Sequence, residues 1–260
     1  MPQRTSHPHG TISWADLATS DQDGAKAFYG AVFGWEYDDQ PVGDGLTYSM
    51  AKLGGRSAAA INPQREEEAQ QGVPPHWNVY ITVDDVDAAA GAVGEHGGQL
   101  YAEPFDVFDA GRMAVIADPS GAVVSLWEAG RSIGAEVVNE PGAMTWADLA
   151  TPRPEDAQAF FSGLLGWSFQ SMSEVPPYWV ISLGGRSQGG MTRPPAEQNV
   201  PPNWFPYFGV DDVDATAQAA RDAGGNPFMG PVDLPNGGRF VLIQDPQGAP
   251  FGINSGDFDD

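Results

Sequence analysis

The sequence predicts an α+β protein made of four strand–helix–strands units, two in each of two repeated halves. Three repeated stretches lead to this fold class. Residues 14–35 and 146–167, which both begin with WADLAT, are identical at 11 of 22 positions, and residues 73–88 and 200–215 are identical at 11 of 16. GRMAVIADPSG at 111–121 also returns as GRFVLIQDPQG at 238–248. A period near 130 residues is too long for a solenoid repeat, so it indicates a duplicated domain.

The first elements of each half can be read from residue periodicity. The segment TISWADLAT alternates in the manner of a strand. Ser20 or Asp21 can then cap a helix whose apolar residues recur at helical spacing and which ends at Gly34. LTYSMAKLGG and SAAAI are predicted hairpin strands, followed by a polar, proline-bounded connection over 62–75.

The same order then returns within the half. WNVYITV is a predicted strand, and Asp84 or Asp85 can start a second helix. Strands at 111–117 and 122–128 follow, joined by a DPSG turn. With the second half included, the chain holds four such units. The predicted domain limits are 1–135 and 138–260.

Composition narrows the classes of partner. The chain has 35 acidic and 12 basic residues and a net charge of −23, which disfavours nucleic acids and anionic membrane surfaces. It contains no apolar run long enough to span a bilayer and no apolar signal segment. It has no cysteine, which is compatible with a reducing cytoplasm. We therefore expect a cytoplasmic protein whose partner is a small organic molecule.

The order of AFYG…FGW, VDDVDA and DPSG or DPQG in each half resembles the glyoxalase/bleomycin-resistance family, also called the vicinal oxygen chelate superfamily. The resemblance implies four βαβββ units that form two glyoxalase-like incomplete β-barrel domains, each around a ligand cavity. It also implies that the halves pack as two family subunits would. A monomer or a homodimer is compatible with this arrangement.

Many enzymes of the family hold a divalent metal with histidine and glutamate side chains from three strands. The family spacing can be counted onto this chain. The three positions fall on Trp14, Asn78 and Ser125 in the first half, and on Trp146, Phe205 and Gly252 in the second. An indole N–H is only a donor and cannot ligate a cation. The sequence therefore predicts no metal site and no cofactor.

Strand alternation predicts which side chains point into the cavities. These are Trp14, Asp16, His76, Asn78, Tyr80, Ser125 and Trp127 in the first half, and Trp146, Asp148, Asn203, Phe205, Tyr207, Gly252 and Asn254 in the second. Large aromatic groups with a few polar groups suit a planar or apolar organic ligand. The alternative is that Trp14 and Trp146 simply fill the barrels.

Two pairs of residues are candidates for catalysis. Asp16 and Asp148 could act as general bases if burial against indole raised their pKa. Alternatively, backbone donors near the following helix could satisfy them. Tyr80 and Tyr207 could donate to a substrate carbonyl oxygen or serve only as structural hydroxyls.

Three further side chains carry weaker predictions. His76 is the one histidine placed for proton transfer, and its counterpart in the second half is Asn203. Arg112 and Arg239 follow glycine before a strand, where each could bind a substrate carboxylate or pair with an acidic neighbour.

The leading functional hypothesis is a tandem protein that binds a small aromatic or apolar molecule in metal-free barrel cavities, as the antibiotic-binding members of the family do. The first alternative is a metal-independent lyase, isomerase or hydroxylase-like enzyme that uses the Asp and Tyr side chains. A metal-dependent glyoxalase I is not expected. The second alternative is a partner-binding protein with filled barrels, whose PPHW and PPNW segments are exposed for a partner or packed at the domain junction.

Overall fold

The structure is a computed structural model that describes residues 3–43, 45–234 and 237–256. The first half contains eight strands and three helices. In chain order these are β1 (Ile12–Thr19), α1 (Gln22–Phe33), β2 (Glu36–Gly43), β3 (Leu46–Leu53), β4 (Arg56–Pro63), α2 (Glu66–Gln70), β5 (His76–Thr82), α3 (Val86–Ala92), β6 (Gln99–Val107), β7 (Gly111–Ala117) and β8 (Val123–Ala129). A 3₁₀ turn, Val93–His96, extends α3.

The second half repeats this order without a counterpart of α2. Its elements are β9 (Met144–Ala150), α4 (Pro154–Leu165), β10 (Ser168–Glu174), β11 (Pro177–Leu183), β12 (Arg186–Thr192), β13 (Asn203–Gly209), α5 (Val213–Asp222), β14 (Asn226–Asp233), β15 (Arg239–Gln244) and β16 (Pro250–Ser255). A short 3₁₀ turn, Ala196–Gln198, lies where the first half has α2.

Each half forms one curled eight-stranded sheet, which confirms the predicted α+β class with two incomplete barrels. The strand order is β2-β3-β4-β1-β5-β8-β7-β6 in the first half and β10-β11-β12-β9-β13-β16-β15-β14 in the second. The two βαβββ units of a half meet where β1 pairs antiparallel with β5, and where β9 pairs antiparallel with β13. The first strand of each half therefore lies at the centre of its sheet.

The edge strands β2, β6, β10 and β14 were not individually predicted. Most residues of β2 and β10 are exposed, and both β2 and β14 contain proline. Tyr37 of β2 and Phe169 of β10 pack against the core, but the residues around them are mostly exposed, so neither strand shows the alternation of apolar and polar residues on which sequence prediction depends. The connection over 62–75 contains the short helix α2, all of whose residues are exposed or half-buried.

The helix boundaries follow their predicted capping residues. The side chain of Asp21 caps α1 by accepting from the backbone N–H of Gly24 at 3.0 Å. Asp85, the second of the two candidates, caps α3 by accepting from Ala88 at 2.8 Å. Gly34 ends α1 with φ 71°, in the left-handed region that glycine adopts most easily.

One apolar core lies between the two sheets and contains residues of both halves. Ala15 and Leu17 of β1 face this core, whereas Trp14 and Asp16 face the opposite, concave side of the sheet. Helix α1 packs against α5 of the other half, and the Phe28 ring lies 6.1 Å from that of Phe251. The concave faces are therefore directed away from the junction between the halves.

Two tryptophans join the halves in a reciprocal way. Trp35 donates from Nε1 to the carbonyl oxygen of Gly142 at 2.7 Å, and Trp167 donates to that of Gly10 at 2.7 Å. Each tryptophan follows the first helix of its own half, and each acceptor precedes the first strand of the other half. The two contacts are thus equivalent under the internal repeat.

The tryptophans of PPHW and PPNW also lie in this core. Trp77 and Trp204 are each 4% exposed, and the Trp77 ring lies 5.2 Å from Phe208 of the other half. The tryptophans of both segments therefore pack at the domain junction, whereas the first proline of each segment, Pro74 or Pro201, is exposed. Over the described residues, every helix is too short or too polar to cross a bilayer.

Candidate functional site

A buried carboxylate lies on the central strand of the first sheet. Asp16 is 3% exposed, and its Oδ1 accepts from Asn78 Nδ2 at 2.9 Å. Its Oδ2 accepts from the hydroxyls of Tyr80 at 2.7 Å and Tyr48 at 3.0 Å. Trp14 donates from Nε1 to the Tyr48 hydroxyl at 3.0 Å. The indole, phenol and carboxylate groups therefore form one connected network on the concave face.

The second half contains the same kind of network. Asp148 is 5% exposed, and its Oδ1 accepts from Trp146 Nε1 and the Tyr178 hydroxyl, both at 2.9 Å. Its Oδ2 accepts from the Tyr207 hydroxyl at 2.9 Å. Trp146 Nε1 also lies 3.0 Å from the Tyr178 hydroxyl. Each carboxylate thus receives three side-chain donors.

Burial shifts the pKa values of the aspartate and tyrosine side chains in both networks. It raises the pKa of Asp16 and Asp148 above the usual 3.8, although the hydrogen bonds that they accept oppose the shift. Burial and the neighbouring carboxylate raise the pKa of the tyrosines well above 10. The hydroxyls therefore remain protonated donors at neutral pH.

The donors to these carboxylates are side chains and not the backbone groups considered from the sequence. Asp16 and Asp148 precede their helices by several residues, and neighbouring strands instead supply phenol and amide groups. The hydroxyls of Tyr80 and Tyr207 donate to these carboxylates. A substrate carbonyl would have to replace the carboxylate as their acceptor.

The strand registers bring the predicted cavity residues to one face of each sheet. Residues paired across neighbouring strands share a face. In the first half the pairs are Trp14 with Tyr80, Asp16 with Asn78, Ala18 with His76, Tyr80 with Ser125 and Thr82 with Trp127; in the second they are Trp146 with Tyr207, Asp148 with Phe205, Ala150 with Asn203, Tyr207 with Gly252 and Gly209 with Asn254.

Sequence reasoning missed Tyr48 and Tyr178. These tyrosines occupy equivalent places on β3 and β11 and complete the two networks. The strands around them, LTYSM and VPPYWV, have diverged too far for the repeat to be evident. A search for tyrosines recurring at a shift of about 130 residues could have found them.

His76 does not contact the carboxylate of Asp16 directly. It is half-buried at the start of β5, and its Nδ1 lies 2.9 Å from the carbonyl oxygen of Pro74. A carbonyl only accepts, so Nδ1 carries the proton. Nε2 of a neutral His76 is therefore the nitrogen that could accept a proton.

The two candidate arginines are engaged in ion pairs. Arg112 donates to Asp87 at 2.8 Å and to Asp106 at 2.9 Å. Arg239 donates to Asp214 at 3.2 Å and also to Asp233. Of the two roles considered from the sequence, the structure therefore contains ion pairing. Binding of a substrate carboxylate would require exchange of these partners.

Four of the six residues at the family's metal positions, Trp14, Trp146, Phe205 and Gly252, supply no ligand for a divalent cation. Trp14 and Trp146 use their indole N–H groups as donors within the networks. A Cβ at Gly252 would lie 2.0 Å from Cδ1 of Tyr207, so the tyrosine ring occupies the space that a ligating side chain would need. Within the described stretches of the chain, no group of three or more His, Asp or Glu residues could hold a metal ion.

Because the pKa values of Asp16 and Asp148 are raised, the wild type and a variant without these carboxyls should differ in stability by an amount that depends on pH. Because folding raises the pKa, the folded state holds these protons more tightly, and the wild type loses stability as pH rises from 3.8 through the folded pKa. A variant with Asp16→Asn and Asp148→Asn lacks this loss. Urea unfolding from about pH 4 to about pH 8 should therefore give a variant-minus-wild-type stability difference that increases with pH. A difference that is constant with pH would contradict the burial of these charges.

A family model described as the Glyoxalase/Bleomycin resistance protein/Dioxygenase superfamily matches residues 11–126 and 143–253. The chain belongs to this superfamily and carries its domain twice. The matched ranges together contain both carboxylate networks.

Relatives with the same tandem length are known from two bacterial genera. The chain is 48% identical over 256 residues to "Putative glyoxylase CFP32" of Mycobacterium tuberculosis, with 97% of each chain covered. It is 34% identical over 263 residues to the anthracycline biosynthesis protein DnrV of Streptomyces peucetius, with 94% of this chain and 92% of the relative covered.

Solved structures share the fold at low sequence identity. The Mn(II)-bound glyoxalase from Novosphingobium aromaticivorans superimposes with a TM-score of 0.69 at 17% identity, covering 96% of this chain and 83% of that one. The 2,3-dioxygenase LapB from Pseudomonas sp. KL28 gives 0.67 at 14% identity, covering 96% and 94%. Similarity at this level supports the fold alone.

Proposed function

We propose that the protein binds a small aromatic or apolar organic molecule on the concave face of its barrels, without a metal ion. The observation that carries the proposal is the closed hydrogen bonding of the two networks. The carboxylates, phenols and indoles of each network satisfy one another. The concave faces consequently offer aromatic ring surface with few uncommitted polar groups, which suits a flat organic ligand.

The side chains at the metal positions support the metal-free part of the proposal. Indole and phenylalanine supply no lone pair suited to a transition metal, and glycine supplies no side chain. The Streptomyces relatives are named for the biosynthesis of anthracyclines, which are fused-ring aromatic compounds. That association favours an aromatic ligand here as well. The net charge of −23 favours a ligand without negative charge and disfavours nucleic acids.

Calorimetric titration tests this function. We expect saturable binding of doxorubicin, as a fluorescent anthracycline, and a weaker response to an aliphatic amine of similar charge, because only the former can stack on the aromatic faces. A protein that binds no member of a panel of anthracyclines, hydroxyanthraquinones and naphthols would contradict the proposal.

Catalysis by Asp16 or Asp148 is the second candidate function, and the raised pKa of both carboxyls favours it. In this case a buried carboxylate would accept a proton from bound substrate in a lyase, isomerase or hydroxylase-like reaction, and Tyr80 or Tyr207 would transfer its hydrogen bond to the substrate oxygen. Turnover of an identified substrate should then fall sharply in Asp16→Asn or Asp148→Asn. Unchanged turnover in both variants would eliminate this mechanism.

A further inference from the structure

The linker between the halves closes one end of the first barrel. Its Ala135 donates from the backbone N–H to the carbonyl oxygen of Ser13 at 2.9 Å, and Glu136 donates to that of Ser57 at 2.8 Å. Ala135 is fully buried and packs with Trp14 on the concave face. The linker therefore fills the space between the starts of β1 and β4.

A second group completes this closure. Trp127 of β8 is 8% exposed and donates from Nε1 to the carbonyl oxygen of Ser132 at 3.0 Å. Its ring lies 6.4 Å from that of Tyr80, on the concave side. Val138 of the linker packs against the cluster of Trp14 and Ala135, as Tyr80 also does. An indole and an apolar segment thus occupy this end of the first barrel.

The N-terminal segment fixes the linker in place. Arg4 donates from its backbone N–H to the carbonyl oxygen of Glu136 at 2.9 Å, and a His7 ring nitrogen lies 2.7 Å from the carbonyl oxygen of Ala135. Burial lowers the pKa of His7, which favours the neutral ring. The N-terminal segment therefore also holds the linker in place, from the outer side of the closed end.

The second barrel differs at the corresponding end. The repeat aligns Trp127 with Asn254, whose Oδ1 accepts from the Thr145 hydroxyl at 2.7 Å. A small amide that is hydrogen-bonded to Thr145 of β9, beyond the intervening strand β13, replaces the indole. Trp146 is half-buried, whereas its counterpart Trp14 is 7% exposed. Within residues 3–43, 45–234 and 237–256, the second barrel is thus more accessible beside its tryptophan.

The wall of the second barrel is also more aromatic. Phe205 and Phe240 stand where the first half has Asn78 and Met113. Their rings flank Tyr207, with centroid distances of 5.5 Å and 6.1 Å. Both phenylalanines are half-buried and so present part of their surface to solvent. This pair adds ring surface that the first barrel lacks.

We propose that the two barrels have different roles, and that the second alone binds one flat aromatic molecule per chain, between Trp146, Phe205 and Phe240. The first barrel, closed by the linker, Trp127 and the N-terminal segment, serves as a structural copy. This inference rests on the proposed function and assigns it to one site. The Asp148 network forms the polar floor of that site and favours a neutral or cationic ligand.

Titration calorimetry with doxorubicin tests the assignment. We expect one site per chain and at least a tenfold loss of affinity in the variant Phe205→Asn plus Phe240→Met, which gives the second barrel the residues of the first. Asn254→Trp, which would restore the indole at the open end, should also weaken binding at least tenfold. Met113→Leu in the first barrel is the matched control and should leave the dissociation constant within twofold.

The outcomes separate the two proposals. Two equivalent sites per chain, or full affinity in both second-barrel variants, would overturn the assignment while leaving the general binding function intact. Absence of binding to the wild type would contradict the binding function itself. Circular dichroism and the unfolding midpoint of each variant establish that it is folded, and either second-barrel variant alone suffices for the test.

Discussion

Replacement of Trp35 by alanine is expected to lower the free energy of unfolding by about 3–5 kcal/mol, the range for truncation of a buried aromatic side chain. Trp35 is 4% exposed, and its ring lies 5.2 Å from Phe208 of the other half. The change also leaves the carbonyl oxygen of Gly142 without its indole donor. The loss therefore acts on the contact between the halves as well as within the first half.

Chemical unfolding followed by circular dichroism and by tryptophan fluorescence measures this effect. Because the halves share one core, both signals should move together to lower denaturant, and Trp167→Ala should behave in the same way. Phe108→Ala, at a position 75% exposed, is the control and should change stability little. Two separate transitions, only one of which shifts, would contradict the shared core.

The second large effect concerns a buried hydroxyl that connects the halves. Tyr29 accepts from Trp77 Nε1 at 3.2 Å and donates to Asp245 Oδ2 at 3.1 Å. Tyr29→Phe would leave both groups buried without this partner. We expect a loss of about 1–3 kcal/mol for each group left unsatisfied, measured by urea unfolding. A loss below about 0.5 kcal/mol would show that the hydroxyl does not hold these groups.

The internal repeat supplies the reciprocal experiment. Phe161 occupies the position of Tyr29, and its ring lies 5.7 Å from Trp204, at an interplanar angle of 85°. Trp204 Nε1 and Asp118 Oδ2, the counterparts of the two groups bound by Tyr29, are buried without a hydrogen-bond partner in the described structure.

Phe161→Tyr should therefore stabilise the protein, because one hydroxyl can satisfy both groups. Two new hydrogen bonds at about 0.5–1.5 kcal/mol each predict a gain of about 1–3 kcal/mol. The same urea titration measures it beside Tyr29→Phe. A destabilised Phe161→Tyr protein would mean that the space beside the ring cannot accept an oxygen atom.

The fold class and most of the element order could be predicted from the sequence because three stretches recur in both halves. Helix starts at Asp21 and Asp85 and the turn at Gly34 rest on local interactions that a single segment contains. The edge strands could not be predicted in the same way, because the exposed residues of β2 have no packing partner that would impose a pattern.

The site was only partly predictable. The alternation of side chains along β1 and β5 predicted that one face holds Trp14, Asp16, Asn78 and Tyr80, and the strand register agrees. Tyr48 was missed because its contact with Asp16 depends on the curl of the sheet between β3 and β1, which are separated by β4. A contact across a curved sheet has no fixed spacing in the sequence.

The closure of the first barrel could not be predicted from the sequence, although aligned positions differ between the halves, with Trp127 opposite Asn254 and Asn78 opposite Phe205. The segment over 134–143 has no pattern that predicts its packing, and only the structure brings its Ala135 onto Trp14. The ion pairs of Arg112 and Arg239 were easier to predict, because the chain is rich in acidic residues. Ion pairing was one of the two roles expected for these arginines.

The proposed binding of an organic molecule on the concave face does not depend on metal coordination. The most direct measurement is a doxorubicin titration on protein treated with a chelator and shown by elemental analysis to be free of transition metals. We expect the dissociation constant to be unchanged by this treatment. Loss of binding in the chelated protein, restored by Mn²⁺, Fe²⁺ or Zn²⁺, would contradict it.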